Sequence, residues 1–366
     1  MGRRWYFVGW FLNFLFFVLV LMAYGCERNS VSCGRGDVTS ALMDIAVDWS
    51  DSGINVSGDV TRSGTSYDVG VHRVSLRFFV LDDSGGTSGV FERYIETSIY
   101  EGSIQIPVGR YAIVAMNESS ADSYWSGSLE FENTDDYATF AAVLPTSSDS
   151  NSDVSASAAK PLAAWSLGEF EVTSNMAALS RGVVTSMSGI VLTDYELEQM
   201  SVLKGIKMLP RTRTMNVSVS ASNLGSVQKV TATVGGFSTR VYMVSGDTHE
   251  DSVSHTFELD TWSYSDATRA DNSSSGVVSG SRICLGHSAA NDQHSDYALS
   301  LEVYQNDGKR FVDDDQLSAV SVGSQVLATT DGLSDYEISH EVAFDYVSDY
   351  FIDVDGWVDG GEIELN

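Results

Sequence analysis

The chain has 366 residues, of which 43% are hydrophobic and 11% aromatic, so it is long enough to form two ordinary cores and too apolar to be disordered. It carries 21 Lys and Arg against 50 Asp and Glu, and the net charge of -29 repels phosphate backbones, which excludes nucleic acid as a partner. With only 4 Pro but 32 Gly, the composition favours short strands joined by polar turns, and we expect an all-β protein.

The N-terminus has the pattern of an export signal. Arginines at positions 3 and 4 precede a nearly unbroken apolar run from Trp5 to Met22. The run ends in Ala23-Tyr24-Gly25-Cys26, which is similar to the site where bacterial lipoproteins are cleaved before a cysteine that is then acylated. We therefore predict a signal peptide at 1–25 and lipid attachment at Cys26. An uncleaved membrane anchor is the alternative, because the run approaches the length of a membrane span.

The remaining cysteines indicate no metal site. Export places the chain in an oxidising compartment, where Cys33 and Cys284 could pair in a disulfide or stay apart. No CxxC or Cys/His spacing accompanies them, so we expect no metal ligation.

After a polar tether at 26–41, period-2 alternation predicts a first strand from about Leu42 and a second over Val74 to Val80. The segment Ile104 to Asn117 holds two apolar runs around a Pro/Gly turn. It predicts a hairpin whose second strand is buried on both faces. The stretch Pro145 to Pro161 is almost all Ser, Asp, Asn and Ala, so an exposed loop is expected there.

A short helix is predicted just before the middle of the chain. Thr193 and Glu196 have capping-box spacing, and Gly205 could end the helix. The apolar residues expected on one face of this helix are Leu197, Met200 and Leu203.

Strand patterns restart after this helix, so we place a domain boundary near Gly205, between an N-terminal β-sandwich at 42–205 and a C-terminal β-sandwich at 206–366. The strong tight-turn sequence from Gln305 to Lys309 predicts a hairpin. A Ser/Asp/Gly-rich excursion is expected at Ser263 to Ser281. The remaining predicted strands lie at Met215–Val219, Val227–Val234, Thr256–Leu259, Leu299–Val303, Ile338–Val347, Tyr350–Val354 and Glu362–Leu365.

Common catalytic frames are missing from the sequence: it contains no GxSxG, HExxH, Walker-type loop or dinucleotide fingerprint. We predict no catalytic residues, no metal site and no cofactor. The six histidines lie mostly in polar stretches, and we expect them at the surface. The acidic segment 353–362 resembles a calcium loop, but its ligand spacing fails at the first or third loop position, which favours ordinary solvated turns.

Two rival functions are kept open. Trp125, Trp165 or Trp262 could form a sugar-stacking platform, which would suit a surface glycan-binding lipoprotein of a polysaccharide-uptake system, although burial in a core is the commoner fate of tryptophan. Scattered carboxylates such as Glu130 and Glu132 would suit a secreted hydrolase, but no motif surrounds them.

Several segments together resemble a known family. They are the lipoprotein-type signal, the strand ending Val47-Asp48-Trp49, the Ile106-Pro107-Val108-Gly109-Arg110-Tyr111 turn, the Met215 to Val219 strand and the closing Val354-Asp355-Gly356-Trp357. In these features the chain is similar to the FimB-like fimbrial anchor lipoproteins of Bacteroidales. The resemblance covers nearly the whole mature chain.

The resemblance implies two tandem transthyretin-like β-sandwiches, tethered by lipid to the outer membrane and exposed at the cell surface. It implies fimbrial (pilin) subunits as partners, contacted by strand addition, and no catalysis. Stalk subunits of the family are trimmed after an arginine, and Arg62, Arg181 and Arg211 are available here without a defining context.

Overall fold

The computed structural model describes residues 39–54, 72–96, 101–119, 125, 128–148, 154–156, 159–180, 191–265, 274–306, 308, 310–311, 317, 319–329 and 334–344. These residues are mostly β-strand, with a few short helices, which confirms the predicted all-β class. No helix in these ranges is both long and apolar enough to cross a membrane.

In chain order the strands are β1 (Ser40–Asp48), β2 (His72–Leu81), β3 (Thr87–Glu96), β4 (Glu101–Pro107), β5 (Gly109–Ser119), β6 (Glu130–Glu132), β7 (Ala141–Val143), β8 (Thr146–Ser148), β9 (Val154–Ala156), β10 (Ala163–Val172), β11 (Ile206–Lys207), β12 (Leu209–Pro210), β13 (Arg213–Ser222), β14 (Val227–Phe237), β15 (Arg240–Tyr242), β16 (Val253–Glu258), β17 (Thr261–Tyr264), β18 (Gly276–Cys284), β19 (Ala298–Gln305), β20 (Arg310–Phe311), β21 (Val320–Ser321) and β22 (Tyr336–Ala343). The α-helices are α1 (Ser174–Ser180), α2 (Asp194–Val202) and α3 (Gly323–Val326).

The N-terminal half is built on two sheets, ordered β11-β1-β4 and β12-β10-β5-β2-β3. In β1 the predicted alternation is confirmed, since Met43, Ile45 and Val47 are buried while Asp44 and Asp48 are exposed. Strand β5 is buried on both faces, as predicted, because every residue from Tyr111 to Met116 is covered. On one face Ala112, Val114 and Met116 pack in an apolar cluster, and on the other face Tyr111, Ile113 and Ala115 are buried as well, so neither face is polar.

The predicted β4–β5 hairpin is wrong. Strand β4 pairs with β1 in one sheet, while β5 pairs with β2 and β10 in the other. The Pro/Gly turn is therefore a corner between two sheets, at which the Tyr111 hydroxyl donates to the Pro107 carbonyl at 2.9 Å. A corner and a hairpin use the same turn residues, so the local sequence could not separate them.

The Pro145 to Pro161 segment also differs from the expected loop. It forms the short strands β8 and β9, which pair with each other, and β9 runs parallel to β16 through the register pair Ser155 and Ser254. Ala159 then becomes buried, and its N–H donates to the Ile283 carbonyl at 3.3 Å. Small polar side chains are compatible with a strand when the backbone finds partners in another sheet.

The predicted helix exists as α2, and its capping box is complete. The Thr193 hydroxyl accepts from the Glu196 N–H at 3.2 Å, while the Glu196 carboxylate accepts from the Thr193 N–H at 2.9 Å. The predicted apolar face is confirmed at Leu203, which is fully buried at the end of the helix, but it is wrong at Leu197, which is 53% exposed. Within the helix the buried positions are the polar residues Glu196 and Gln199. Gln199 is buried because its side-chain oxygen accepts from the Glu171 N–H at 2.9 Å.

Glu196 also ties α2 to α1. Its carboxylate accepts from the Thr173 hydroxyl at 2.6 Å and from the Asn175 amide at 3.1 Å. The hydrogen bond from Thr173, followed by that from the Thr193 backbone, lowers the pKa of Glu196 to about 2. Polar partners thus take the place of the apolar contacts that the sequence pattern suggested.

The C-terminal half is a second sandwich, with sheets ordered β17-β18-β13-β22 and β20-β19-β14-β16-β9-β8, and with β21 beside β19. Its core includes Met215, Val217 and Val219 from one sheet and Val230, Ala232, Val234, Leu299, Leu301 and Val303 from the other. The predicted tight hairpin joins β19 to β20, with Gly308 at φ +83°. The predicted strands beyond residue 347 lie outside the described residues.

The expected Ser263 to Ser281 excursion ends instead in the inner strand β18, which begins at Gly276, and starts in β17, which ends at Tyr264. Two glycines in β18 allow neighbouring backbone to approach closely. A Cβ on Gly276 would lie 2.3 Å from the Ser263 carbonyl oxygen, and one on Gly280 would lie 2.8 Å from that of Glu258. Glycine therefore marks close packing at these positions rather than a loop.

A third apolar cluster joins residues from both sides of Gly205, and we call it the junction cluster. Its members from before Gly205 are Phe79, Ala112, Val114, Met116, Leu129, Phe140, Ala142, Leu144, Ala159, Leu162 and Ala164, and those from after it are Val241, Met243, Val253, Ile283 and Leu285. Strands also pair across this point, as β7 with β15 and β10 with β12. The domain boundary near Gly205 stays a prediction.

Candidate functional site: the edges of the sheets

The predicted lipid-attachment residue and its signal lie outside the described residues, as does Cys33. Cys284 is fully buried at the end of β18, and its thiol lies 3.6 Å from the Arg213 carbonyl oxygen. Burial raises the pKa of Cys284 to about 12, so the thiol is protonated and inert at neutral pH. Lipidation at Cys26 stays a prediction, and whether Cys33 pairs with Cys284 stays open.

One histidine departs from the surface position expected for all six. His255 on β16 has no exposed surface, and neither ring nitrogen has a hydrogen-bond partner. His287 is half-buried beside Tyr336, whose hydroxyl lies 3.2 Å from its Nδ1. Within the described ranges, no three His, Cys, Asp or Glu side chains lie close enough together to hold a metal ion. The acidic segment 353–362 lies outside the described residues.

The three tryptophans suggested for sugar binding lie in different places. Trp125 packs against the junction cluster, and Trp262 packs against the C-terminal core and stacks on Tyr264. Trp165 is opposite Ala115 in the five-stranded sheet, one position after a residue that faces the junction cluster, so it faces the other side of that sheet. The three rings therefore do not form a common platform.

The carboxylates suggested for hydrolysis lie together on one short strand. Glu130 and Glu132 are both exposed on β6, and Glu132 accepts from the Arg240 guanidinium at 2.6 Å.

Arg211 is one of the arginines considered for proteolytic trimming. Its backbone N–H donates to the Leu162 carbonyl at 2.7 Å. Its guanidinium donates to the Met243 carbonyl at 3.2 Å.

The edge strands remain as the surfaces able to bind another polypeptide, because an edge presents backbone N–H and C=O groups on one side. Strand β22 ends the four-stranded sheet, and its outer side is closed at its centre by Gln325 of α3. The Gln325 amide donates to the Ser339 carbonyl at 2.9 Å, and its oxygen accepts from the Ser339 N–H at 2.6 Å. One side chain thus makes both bonds that a neighbouring strand would make to this residue.

Strand β3 ends the five-stranded sheet and is ten residues long. Among the described residues, no strand pairs with β3 on the side away from β2. Ser88 and Gly89 are exposed near one end of the strand, and Tyr94 is 46% exposed near the other. A long edge with exposed residues at both ends is the geometry that accepts an added strand.

Aromatic packing holds β3 against the N-terminal core. The Phe91 ring stacks on Phe78 with 4.7 Å between centroids and meets the Tyr111 ring edge-on at 5.5 Å. On the same face, the Arg93 guanidinium donates to the Gln105 carbonyl of β4 at 3.2 Å, which links the edges of the two sheets. Strand β3 is therefore packed against the N-terminal core through Phe91 and Arg93.

Charged and aromatic side chains line the other face of this edge. The Arg73 guanidinium lies 4.2 Å from the centroid of the Tyr94 ring, and Glu92 accepts hydrogen bonds from Tyr94 and Arg77. Partial burial opposes ionisation of Glu92, but these two hydrogen bonds lower its pKa below the usual value. The hydrogen bond to Glu92 raises the pKa of Tyr94 to about 12, so the hydroxyl stays protonated as a donor.

Comparison with known proteins places the chain in a family. A family model described as a domain of unknown function, DUF5119, matches residues 68–258, which is just over half of the chain. The chain belongs to this family. A comparison with curated proteins finds no match.

Structural neighbours include a candidate adhesin from Bacteroides ovatus, with 14% identity and a TM-score of 0.48, covering 86% of this chain and 98% of the neighbour. A candidate adhesin from Bacteroides thetaiotaomicron has 12% identity and a TM-score of 0.41, covering 75% and 83%. The fimbrial anchor protein Mfa2 from Porphyromonas gingivalis has 13% identity and a TM-score of 0.38, covering 83% and 90%.

Proposed function

We propose that this chain is a non-enzymatic, lipid-anchored protein of the outer membrane that anchors or assembles a fimbria. In this proposal acylated Cys26 holds the chain to the membrane, and a sheet edge contacts a fimbrial subunit through backbone hydrogen bonds. The observation that carries the proposal is the ten-residue edge of β3, which among the described residues has a strand on one side only.

The proposal favours β3 over β22 for a physical reason. An incoming strand at β22 would have to displace the Gln325 amide from both backbone groups of Ser339. At β3 an incoming strand meets the exposed residues Ser88, Gly89 and Tyr94. A Cβ placed on Gly89 would have no atom within 4 Å, so there is space beside the strand at that end.

The sequence of the first 26 residues supports the anchoring part of the proposal. Basic residues, an apolar run and a cysteine after Gly25 occur in the order that lipoprotein processing requires. Two or three acyl chains on Cys26 would hold the protein stably, because each buried methylene contributes about 0.8 kcal/mol to membrane binding.

Fractionation tests the anchor. In cells expressing the full chain, Cys26→Ser should remove incorporation of a radiolabelled fatty acid and release the protein from the membrane fraction, while Cys33→Ser serves as the matched control and stays membrane-bound. Membrane retention of the Cys26→Ser protein, with no label in either protein, would contradict lipid anchoring.

Photo-crosslinking tests the edge. A benzoylphenylalanine placed at position 94, on the β3 edge, should give an adduct that mass spectrometry identifies as a fimbrial subunit. The same group at position 197, which is similarly exposed on α2, should give none. A fimbrial-subunit adduct from position 197 and not from position 94 would place the contact elsewhere.

A further inference from the structure

The buried histidine on β16 is an unusual feature of the C-terminal sandwich. His255 has no exposed surface, and its two ring nitrogens, both able to hydrogen-bond, have no partner. Buried polar groups in folded proteins almost always have a partner, so this one is held at a cost. An imidazole in such a site is tolerated only while it is neutral, because the cation would lose its hydration without compensation.

Among the described residues, the groups that face His255 are apolar, aromatic or themselves positively charged. On β14, the Phe237 ring lies edge-on at 5.7 Å between centroids, and Val234 is the register partner of His255. From β18 across the sandwich, the charged group that acts on His255 is the guanidinium of Arg282, a like charge. On β16 itself, Val253 and Phe257 are the apolar neighbours that share its face.

The position of His255 links this chemistry to the joint between the two halves. Val253, two residues before it, belongs to the junction cluster, and Phe257, two residues after it, belongs to the C-terminal core. The neighbouring residue of the same strand, Ser254, is the register partner of Ser155 on β9, which comes from the N-terminal half. Expansion around His255 would therefore strain the packing that joins the halves.

We infer that His255 is an acid-sensitive element, and that its protonation loosens the C-terminal sandwich where the junction cluster meets the C-terminal core. The inference is independent of the proposed fimbrial role and concerns the described body of the chain alone.

The direction and size of the effect follow from burial and from Arg282, which together lower the pKa of His255 from 6.5 to about 4. Above pH 6.5 the ring is neutral in both folded and unfolded chains and has no effect on the pH dependence of stability. As the pH falls from 6.5 towards 4, the unfolded chain binds a proton that the folded chain excludes. The unfolding equilibrium constant should therefore rise by about 100-fold between pH 7 and pH 4 through His255 alone, and by about 300-fold once the pH lies well below 4.

The test compares urea unfolding of the full chain between pH 7 and pH 4 for wild type, His255→Leu and His255→Gln, with His294→Gln as a control on an exposed histidine. Wild type should lose stability relative to both His255 variants as the pH falls, with a difference in the unfolding equilibrium constant of about 100-fold at pH 4, while His294→Gln follows wild type. Two variants are used because leucine tests a purely apolar replacement and glutamine keeps a polar side chain of similar size.

Two further measurements need no folded variant. In the wild-type protein, the His255 ring should titrate by NMR well below pH 6.5. Hydrogen exchange, corrected for intrinsic rates, should rise at Val253–Glu258 between pH 7 and pH 5 more than at β5. An identical pH slope in wild type and both variants, or a ring that titrates at or above pH 6.5, would overturn the inference.

Discussion

Phe140 is a member of the junction cluster, and its replacement tests whether the two halves depend on one another. Its ring is fully buried, with centroids 6.0 Å from Phe79 and 5.9 Å from Phe131, and the Arg77 guanidinium lies 5.2 Å from its centroid. Truncating a buried phenylalanine to alanine costs about 3–5 kcal/mol, because the transfer energy is lost and a cavity remains. The loss of the contact with Arg77 adds about 0.5 kcal/mol.

We therefore expect Phe140→Ala to lower the free energy of unfolding by about 4 kcal/mol, measured by urea denaturation with circular dichroism and tryptophan fluorescence. Because the junction cluster holds residues from both sides of Gly205, the decrease should appear in both halves. Hydrogen exchange should increase in β5 and also in β13. Leu197→Ala is the matched control, and since that side chain is 53% exposed it should change stability by less than about 0.5 kcal/mol.

The reasoning is refuted by either of two results. One is a loss below about 1 kcal/mol in Phe140→Ala, which would mean that the ring is not packed as described. The other is a second unfolding transition that the substitution leaves unchanged, because the halves would then be independently stable and the domain boundary near Gly205 would separate two autonomous units.

Three further predictions concern single side chains. Gln325→Ala should cost about 1 kcal/mol and speed exchange of the Ser339 amide, because two backbone bonds are lost at an exposed edge, whereas unchanged exchange would mean that Gln325 does not close β22. Thr193→Ala should lower stability by about 1 kcal/mol in urea denaturation through loss of the α2 cap, and no loss would show that the cap is dispensable. Cys284 should not react with a thiol reagent in the folded protein, and should react once urea exposes it, with prior reduction if it is paired with Cys33; fast reaction in the folded state would contradict its burial.

Sequence patterns correctly predicted the features that are set by residues close together in the chain. Alternation along β1 gave its buried face, because each strand residue is either inside or outside. The capping box at Thr193 and the Asn-Asp-Gly turn before β20 were also predicted, because a cap and a tight turn are set by residues three or four apart. The uninterrupted apolar run in β5 correctly indicated a strand covered on both sides.

Which strands pair with one another could not be predicted in the same way, because the burial pattern of a strand does not show which strand lies beside it. The β4–β5 corner shows this for apolar strands, and the pairing of β9 with β16 shows it for polar ones. Strand β18 was missed because its glycines serve close packing against Ser263 and Glu258.

Neither Gln325, which covers the edge of β22, nor the buried His255 could be singled out from its nearest sequence neighbours. Gln325 lies in the short helix α3, and its role depends on Ser339, which becomes a neighbour only when the chain folds. His255 is a comparable case, because its sequence neighbours Ser254 and Thr256 are polar and concealed a fully buried position. Alternation around His255 could have suggested burial, since Val253 and Phe257 share its strand face.

The most direct test of the central claim is hydrogen exchange of the full chain in isolated fimbriae compared with the chain purified alone. If a fimbrial subunit adds a strand at β3, the amides of Thr87–Glu96 should exchange more slowly in the fimbria, while those of Tyr336–Ala343 should not change. Protection that appears at β22 and leaves β3 as fast as in the isolated chain would contradict the account.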